Sequence, residues 1–122
     1  MINITYTPFN ISGSSDPTFI GNTFTNVKWM AIGLLGGNVC QNGTIKIRNV
    51  AGYTNITYVL LSDMYINSGT YVNVQAGVVI KVNGCNIYVD GGFKTDGISS
   101  TKVVFTSLQD DNEGNPLDTN GD

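Results

Sequence analysis

The chain has 122 residues, of which only 12% are charged, with a net charge of −3, a pI near 4.5 and no histidine. Five scattered lysines and a single arginine speak against nucleic acid or an anionic membrane surface as partner. The missing imidazole removes the commonest general base and zinc ligand, and Asn, Thr, Ser and Gly in place of charges disfavour amphipathic helices.

Taken in chain order, residues 2–7 (INITYT) alternate apolar and polar and are predicted to form a strand, followed by a loop punctuated by Pro8, Gly13 and Pro17. Two strand-like bursts flank a Gly-Asn turn over residues 18–26, where Asn22 and Asn26 suit the bends. Residues 27–35 (VKWMAIGLL) read as a buried strand, too short and too Gly-rich at its end for a helix. Thr44–Arg48 alternates, which places Ile45 and Ile47 inward and Thr44, Lys46 and Arg48 outward. Thr57–Leu61 reads as a more fully buried strand.

From Met64 to Ser107 the chain becomes a run of apolar bursts, each closed by a Gly-bearing turn. The bursts recur: Met64-Tyr65-Ile66 returns as Ile87-Tyr88-Val89, and Val78-Val79-Ile80 as Val103-Val104-Phe105. A period of about 23 residues with several short strands per repeat is that of a solenoid. The expected fold is all-β: a solenoid of about five coils spanning residues 1–122 as one domain, with an Asp/Asn-rich loop at 108–122. An antiparallel β-sandwich is the alternative that short strands and frequent turns also fit. In the solenoid the inward set is Met64, Ile66, Val72, Val74, Val78, Ile80, Val82, Ile87 and Val89, with Ile66 under Val89. Tyr65 and Tyr88 face outward together.

The run Gly69–Val82, the coil Ile87–Gly97, the stretch Val103–Asp122 and, more loosely, Phe19–Asn26 resemble the coils of secreted bacterial right-handed parallel β-helix repeat proteins. These are surface proteins of the Bacteroidetes type whose fold is shared with pectate lyases. The resemblance implies an extracellular or cell-surface protein, with its signal peptide outside this chain, and a chain that is a piece of a longer one. Asn115-Pro116-Leu117 departs from that pattern, which has a Gly-Gly turn there.

The acidic segment carries the clearest candidate chemistry. Asp118, Asn120 and Asp122, with Asp110 and Asp111, place hard oxygen donors at alternate positions of a tight loop, a pattern suited to structural calcium. The bland reading is a solvated acidic loop. Trp29, Tyr65 and Tyr88 are carbohydrate-contact candidates, although Trp29 reads first as a core or coil-edge cover. Cys40 and Cys85 are either two small buried residues or a disulfide across stacked coils. No catalytic set is assembled: Asp110-Asp111 lacks a histidine, and Arg48 lies two to three coils away.

The expected function is therefore a noncatalytic structural or adhesive module that contacts carbohydrate or a cell-surface component. The alternatives are part of a polysaccharide lyase or glycoside hydrolase β-helix whose catalytic coils lie elsewhere, and a subunit that stacks end to end. Expected partners are flanking β-helix coils or further copies of the chain, with no membrane insertion.

Overall fold

The computed structural model describes residue 7, residues 9–12, residue 17 and residues 28–121. The strands expected over residues 2–7 and 18–26, with Asn22 and Asn26, fall almost wholly outside the described residues.

Eleven short strands follow one another along the described chain: β1 (Phe9–Ile11), β2 (Ile32–Leu34), β3 (Gly37–Val39), β4 (Gly43–Ile45), β5 (Tyr58–Leu60), β6 (Met64–Ile66), β7 (Tyr71–Val74), β8 (Val79–Val82), β9 (Ile87–Val89), β10 (Gly92–Thr95) and β11 (Val104–Ser107). Each is three or four residues long because glycine-bearing turns interrupt the apolar bursts so often. They stack into three sheets: sheet A in the order β1-β2-β5-β8-β11, sheet B β3-β6-β9 and sheet C β4-β7-β10. All eight ladders are parallel. The chain visits sheets A, B and C in turn, so the fold is the expected right-handed parallel β-helix and the sandwich is ruled out.

Register follows the sequence repeat. Met64 pairs with Ile87, Tyr65 with Tyr88 and Ile66 with Val89, while Val79 pairs with Val104. Coils vary in length: the coil from Ile32 to its partner Tyr58 is longer than the next, from Tyr58 to Ile80. Among the described residues, five strands in sheet A bound four turns, where the repeat length predicted about five coils. The longer coil and residues 108–121, which fold outside the stack, each account for part of the difference.

The interior is a column of aliphatic side chains. Ile32, Leu34, Ile45, Ile56, Leu60, Met64, Ile66, Val72, Val74, Val78 and Ile80 form one buried cluster, each side chain contributing about 1.5–3 kcal/mol by its removal from water. Tyr58 joins them, and its hydroxyl donates to the carbonyl of Lys46, which satisfies the one polar group it carries inward. Side-chain amides and carboxylates at the corners lock neighbouring coils: Asn42 Oδ1 accepts from Tyr71 N (2.8 Å), Asp63 Oδ1 from Asn86 N (2.8 Å), and Asn55 Nδ2 donates to Gly77 O (2.8 Å). The Asn-rich composition thus serves the corners, where main-chain groups leave the ladders and need other partners.

Three expectations are corrected. Ile47 is exposed and Arg48 buried, the reverse of the alternation read from Thr44–Arg48. Strand β4 ends at Ile45, so the pleat no longer governs the next residues; Ile47 N donates to Gln75 Oε1, and Arg48 Nη1 donates to Pro17 O at 2.7 Å. Val89 has the inward register but is 45% exposed, because β9 is the last strand of sheet B; Val82 and Ile87 are half-buried. Cys40 and Cys85 are both free, with Cys40 exposed and Cys85 half-buried, so neither the disulfide nor a fully buried pair is present.

Candidate functional site

The outer face of sheet A is covered over its three middle strands, where Gly33, Val59 and Lys81 are buried. Along its outer face the register aligns Asn10, Gly33, Val59, Lys81 and Thr106. After β11 the acidic segment 108–121 turns back and lies across this face as a strap. Leu108 packs with Ala31 and Val59 in a second small core, edged by Trp29 and Leu61. The main chain then joins the sheet's margin: Thr57 N donates to Asn115 O (3.1 Å), Asn115 N to Thr57 Oγ1 (2.7 Å), Asn115 Nδ2 to Thr54 O (2.6 Å), and Met30 N to Thr119 O (3.0 Å). Gly114 lies so close to Thr57 Oγ1, at φ +100°, that a side chain there would meet the hydroxyl.

At the centre of this contact is Lys81. It occupies the outward position of β8, yet the strap buries it completely. Its ammonium donates to the carbonyls of Asp110 (2.5 Å) and Leu117 (2.7 Å). Burial holds its pKa below the usual lysine value, while the carboxylates of Asp111, Asp110, Asp118 and Glu113 pull it back up. An ammonium held by two main-chain carbonyls, in the field of the strap's carboxylates, ties the strap to sheet A.

The calcium candidates are distributed along the strap. Asp110 accepts from Thr106 Oγ1 (2.6 Å) through one carboxylate oxygen and from Asn112 N (2.9 Å) through the other. The Thr106 hydroxyl, and after it the Asn112 N–H, hold its pKa below the usual carboxylate value. Asp118 Oδ1 accepts from Gly121 N (2.7 Å), Asn120 Nδ2 donates to Gln109 Oε1 (3.3 Å), and Asp111 is exposed. Asp122 lies outside the described residues. Among the described residues no three histidine, cysteine, aspartate or glutamate side chains converge as a metal-binding group.

The aromatic candidates separate onto two sheets. Trp29 is half-buried at the edge of the small core outside sheet A, with Lys28 Nζ 5.8 Å from its ring, so it covers the sheet. Tyr65 and Tyr88 project from the outer face of sheet B, 44% and 48% exposed, with centroids 4.9 Å apart and planes within 9°. That separation is one strand spacing, so the stack follows directly from the parallel register. Asn38 is in line below Tyr65. Each ring gives one face to the other; the edges and hydroxyls face outward, and no described strand lies over the second face of Tyr88.

Sequence reasoning missed Lys81. The available signal was a lone lysine in an otherwise apolar strand (VIKV), combined with an excess of acid in the segment that follows the last strand. The comparisons with known proteins add nothing to this geometry: no family model, curated protein or solved structure matches the chain.

Proposed function

We propose that this β-solenoid is a noncatalytic structural or adhesive module of an extracellular or cell-surface bacterial protein, with the outer face of sheet B as its contact surface. One observation carries the reading: Asn38, Tyr65 and Tyr88 stand in line on three rigid parallel strands, whereas the equivalent face of sheet A is taken up by the chain's own strap. Tyrosine edges and hydroxyls beside an amide suit the hydroxyl-rich flank of a polysaccharide, which offers C–H groups and hydrogen-bonding partners alternately. The resemblance of residues 69–122 to secreted β-helix coils supports the extracellular location.

Titration calorimetry with pectin, alginate and neutral glucans tests this reading. Binding to at least one of them is expected, weakened at least tenfold by Tyr65→Ala and Tyr88→Ala together. Failure of all three to bind removes the carbohydrate partner, and release of reducing ends or unsaturated products, with or without calcium, overturns the noncatalytic assignment.

A structural calcium ion in the strap belongs to the same reading. Four carboxylates, those of Asp110, Asp111, Glu113 and Asp118, stand against the one Lys81 ammonium, which leaves an excess of negative charge for a divalent ion to offset. Calcium is expected to raise the melting temperature and a chelator to reverse the rise; an unchanged melting temperature counts against the ion.

A further inference from the structure

The two ends of the coil stack differ. On the first strands of the three sheets the inward residues Ile11, Val39 and Ile45 are buried. On the last strands the inward residues are more open: Val89 in β9, in line with Val39, is 45% exposed, and Phe105 in β11, in line with the half-buried Phe9, is 42% exposed. Phe93 in β10 is half-buried, its ring 5.9 Å from that of Phe105. At the corner between β10 and β11, Ile98 is 61% exposed and lines a cavity of about 350 Å³ with Thr95, Gly97, Ser99, Lys102 and Val103. Strands β9, β10 and β11 each have a neighbour on one edge only among the described strands, so three rows of main-chain donors and acceptors surround an apolar centre.

Residues 108–121 run away from this end towards Met30. A copy stacked head to tail would have to present an open first coil, and Ile11, Val39 and Ile45 of that coil are buried. A like end meets the requirement. We propose that the open end is a homodimer interface in which two chains abut last coil to last coil about a twofold axis perpendicular to the stack.

The screw of the solenoid fixes where that axis passes. Strands β9, β10 and β11 climb by about a third of a strand spacing each, about 1.6 Å from the 4.8 Å spacing. A twofold through sheet C pairs β10 with β10 and β9 with β11, and leaves every gap equal to one spacing. An axis through sheet B would leave one gap two spacings wide, and an axis through sheet A two such gaps. Rotation about such an axis reverses strand direction, so the three junctions are antiparallel and isologous.

Charge fixes the register. Phe93 and Thr95 have the inward register of Val72 and Val74 and Lys94 the outward one; Asp96 follows the strand and shares the outer side with Lys94, to which it is ion-paired. Opposed residues must share a side, which allows β10 to centre on Phe93, Lys94 or Thr95. Centring on Lys94 opposes like charges, which is unfavourable. Centring on Thr95 sets Lys94 opposite Asp96 of the second copy, twice. The two side chains already pair along their own strand at 3.3 Å while 75% and 46% exposed, within reach of a second partner.

Sedimentation velocity on the 122-residue chain, from micromolar to hundreds of micromolar, tests the proposal. A species of twice the 13.1 kDa chain mass is expected. Phe105→Lys should abolish it while far-ultraviolet dichroism stays unchanged. Lys94→Asp, at an exposed position that folding does not depend on, should weaken association about tenfold, a loss of about 1.4 kcal/mol. Adding Asp96→Lys should restore association. A monomer at every concentration, a mass that keeps growing with concentration, a dimer that survives Phe105→Lys, or a charge exchange without rescue would each overturn it.

Discussion

Lys81 shows how one residue can organise a segment that does not adjoin it in sequence. Its ammonium satisfies two strap carbonyls, and its aliphatic stem fills space above sheet A. Lys81→Met keeps the stem but leaves both carbonyls buried without a donor, at an expected cost of about 2–4 kcal/mol. Chemical denaturation measures that loss, and faster proteolysis within residues 108–121 should accompany it. The two titrating groups act at opposite ends of the pH scale. Asp110 has a folded pKa below its ordinary value, so its contribution is complete above that value, near pH 4, and disappears as pH falls through the folded pKa. Melting temperatures measured from neutral pH down to pH 2 should fall less steeply for Asp110→Asn than for the parent. Lys81 also has a lowered folded pKa, so between that value and its ordinary one the unfolded chain holds more protons and stability rises with pH. Lys81→Met should remove this alkaline gain.

At the scale of single elements, the strands are too short to be stable alone, and register between coils holds them. Tyr65 and Tyr88 report that register. A double-mutant cycle of Tyr65→Ala and Tyr88→Ala should return a coupling energy of about 0.5–1.5 kcal/mol, the range for paired aromatic rings; additive losses would mean that the rings stack without benefit. This register was legible in the sequence because glycine turns punctuate the bursts and fix the offset that brings Tyr88 over Tyr65. Legibility ended where alternation ended. Beyond Ile45 the backbone turns a corner, and Ile47 and Arg48 exchange faces under hydrogen bonds to Gln75 and Pro17, residues that no local pattern connects to them. The strap was legible only in composition. Its excess acid was visible, but its route across Thr57 and Lys81 depends on contacts between residues far apart in sequence, Asn115 with Thr57 and Asp110 with Lys81. The aromatic candidates divided for a similar reason: both tyrosines lie at outward positions of strands, whereas Trp29 precedes β2 and is covered by Leu108, which arrives only after β11.

For the molecule as a whole, two outer faces and one end of the stack differ in what covers them. Sheet A is sealed by the strap, sheet B displays the tyrosine pair, and the last coil ends in open strand edges. A contact surface on sheet B and self-association at the last coil can therefore coexist, with the two tyrosine pairs of a dimer on different faces of the joined stack because β9 meets β11 of the second copy. In most solenoids a coil is stabilised only by the coils on either side of it, so opening can begin at one end and progress coil by coil. The strap breaks that rule. It leaves the last coil, contacts Lys81, then Thr57, then Met30, and so links the level of β11 to that of β2. Fraying at the final coil has to peel the strap from all the coils beneath it, which converts a graded loss of coils into a concerted one. A chain truncated after Ser107 is expected to unfold over a broader denaturant range with a lower m-value, and its amide protons to exchange in a gradient from the last coil inward. The full chain should instead exchange its core amides together. A single segment laid along the axis thus gives a one-dimensional stack the cooperativity of a globular domain.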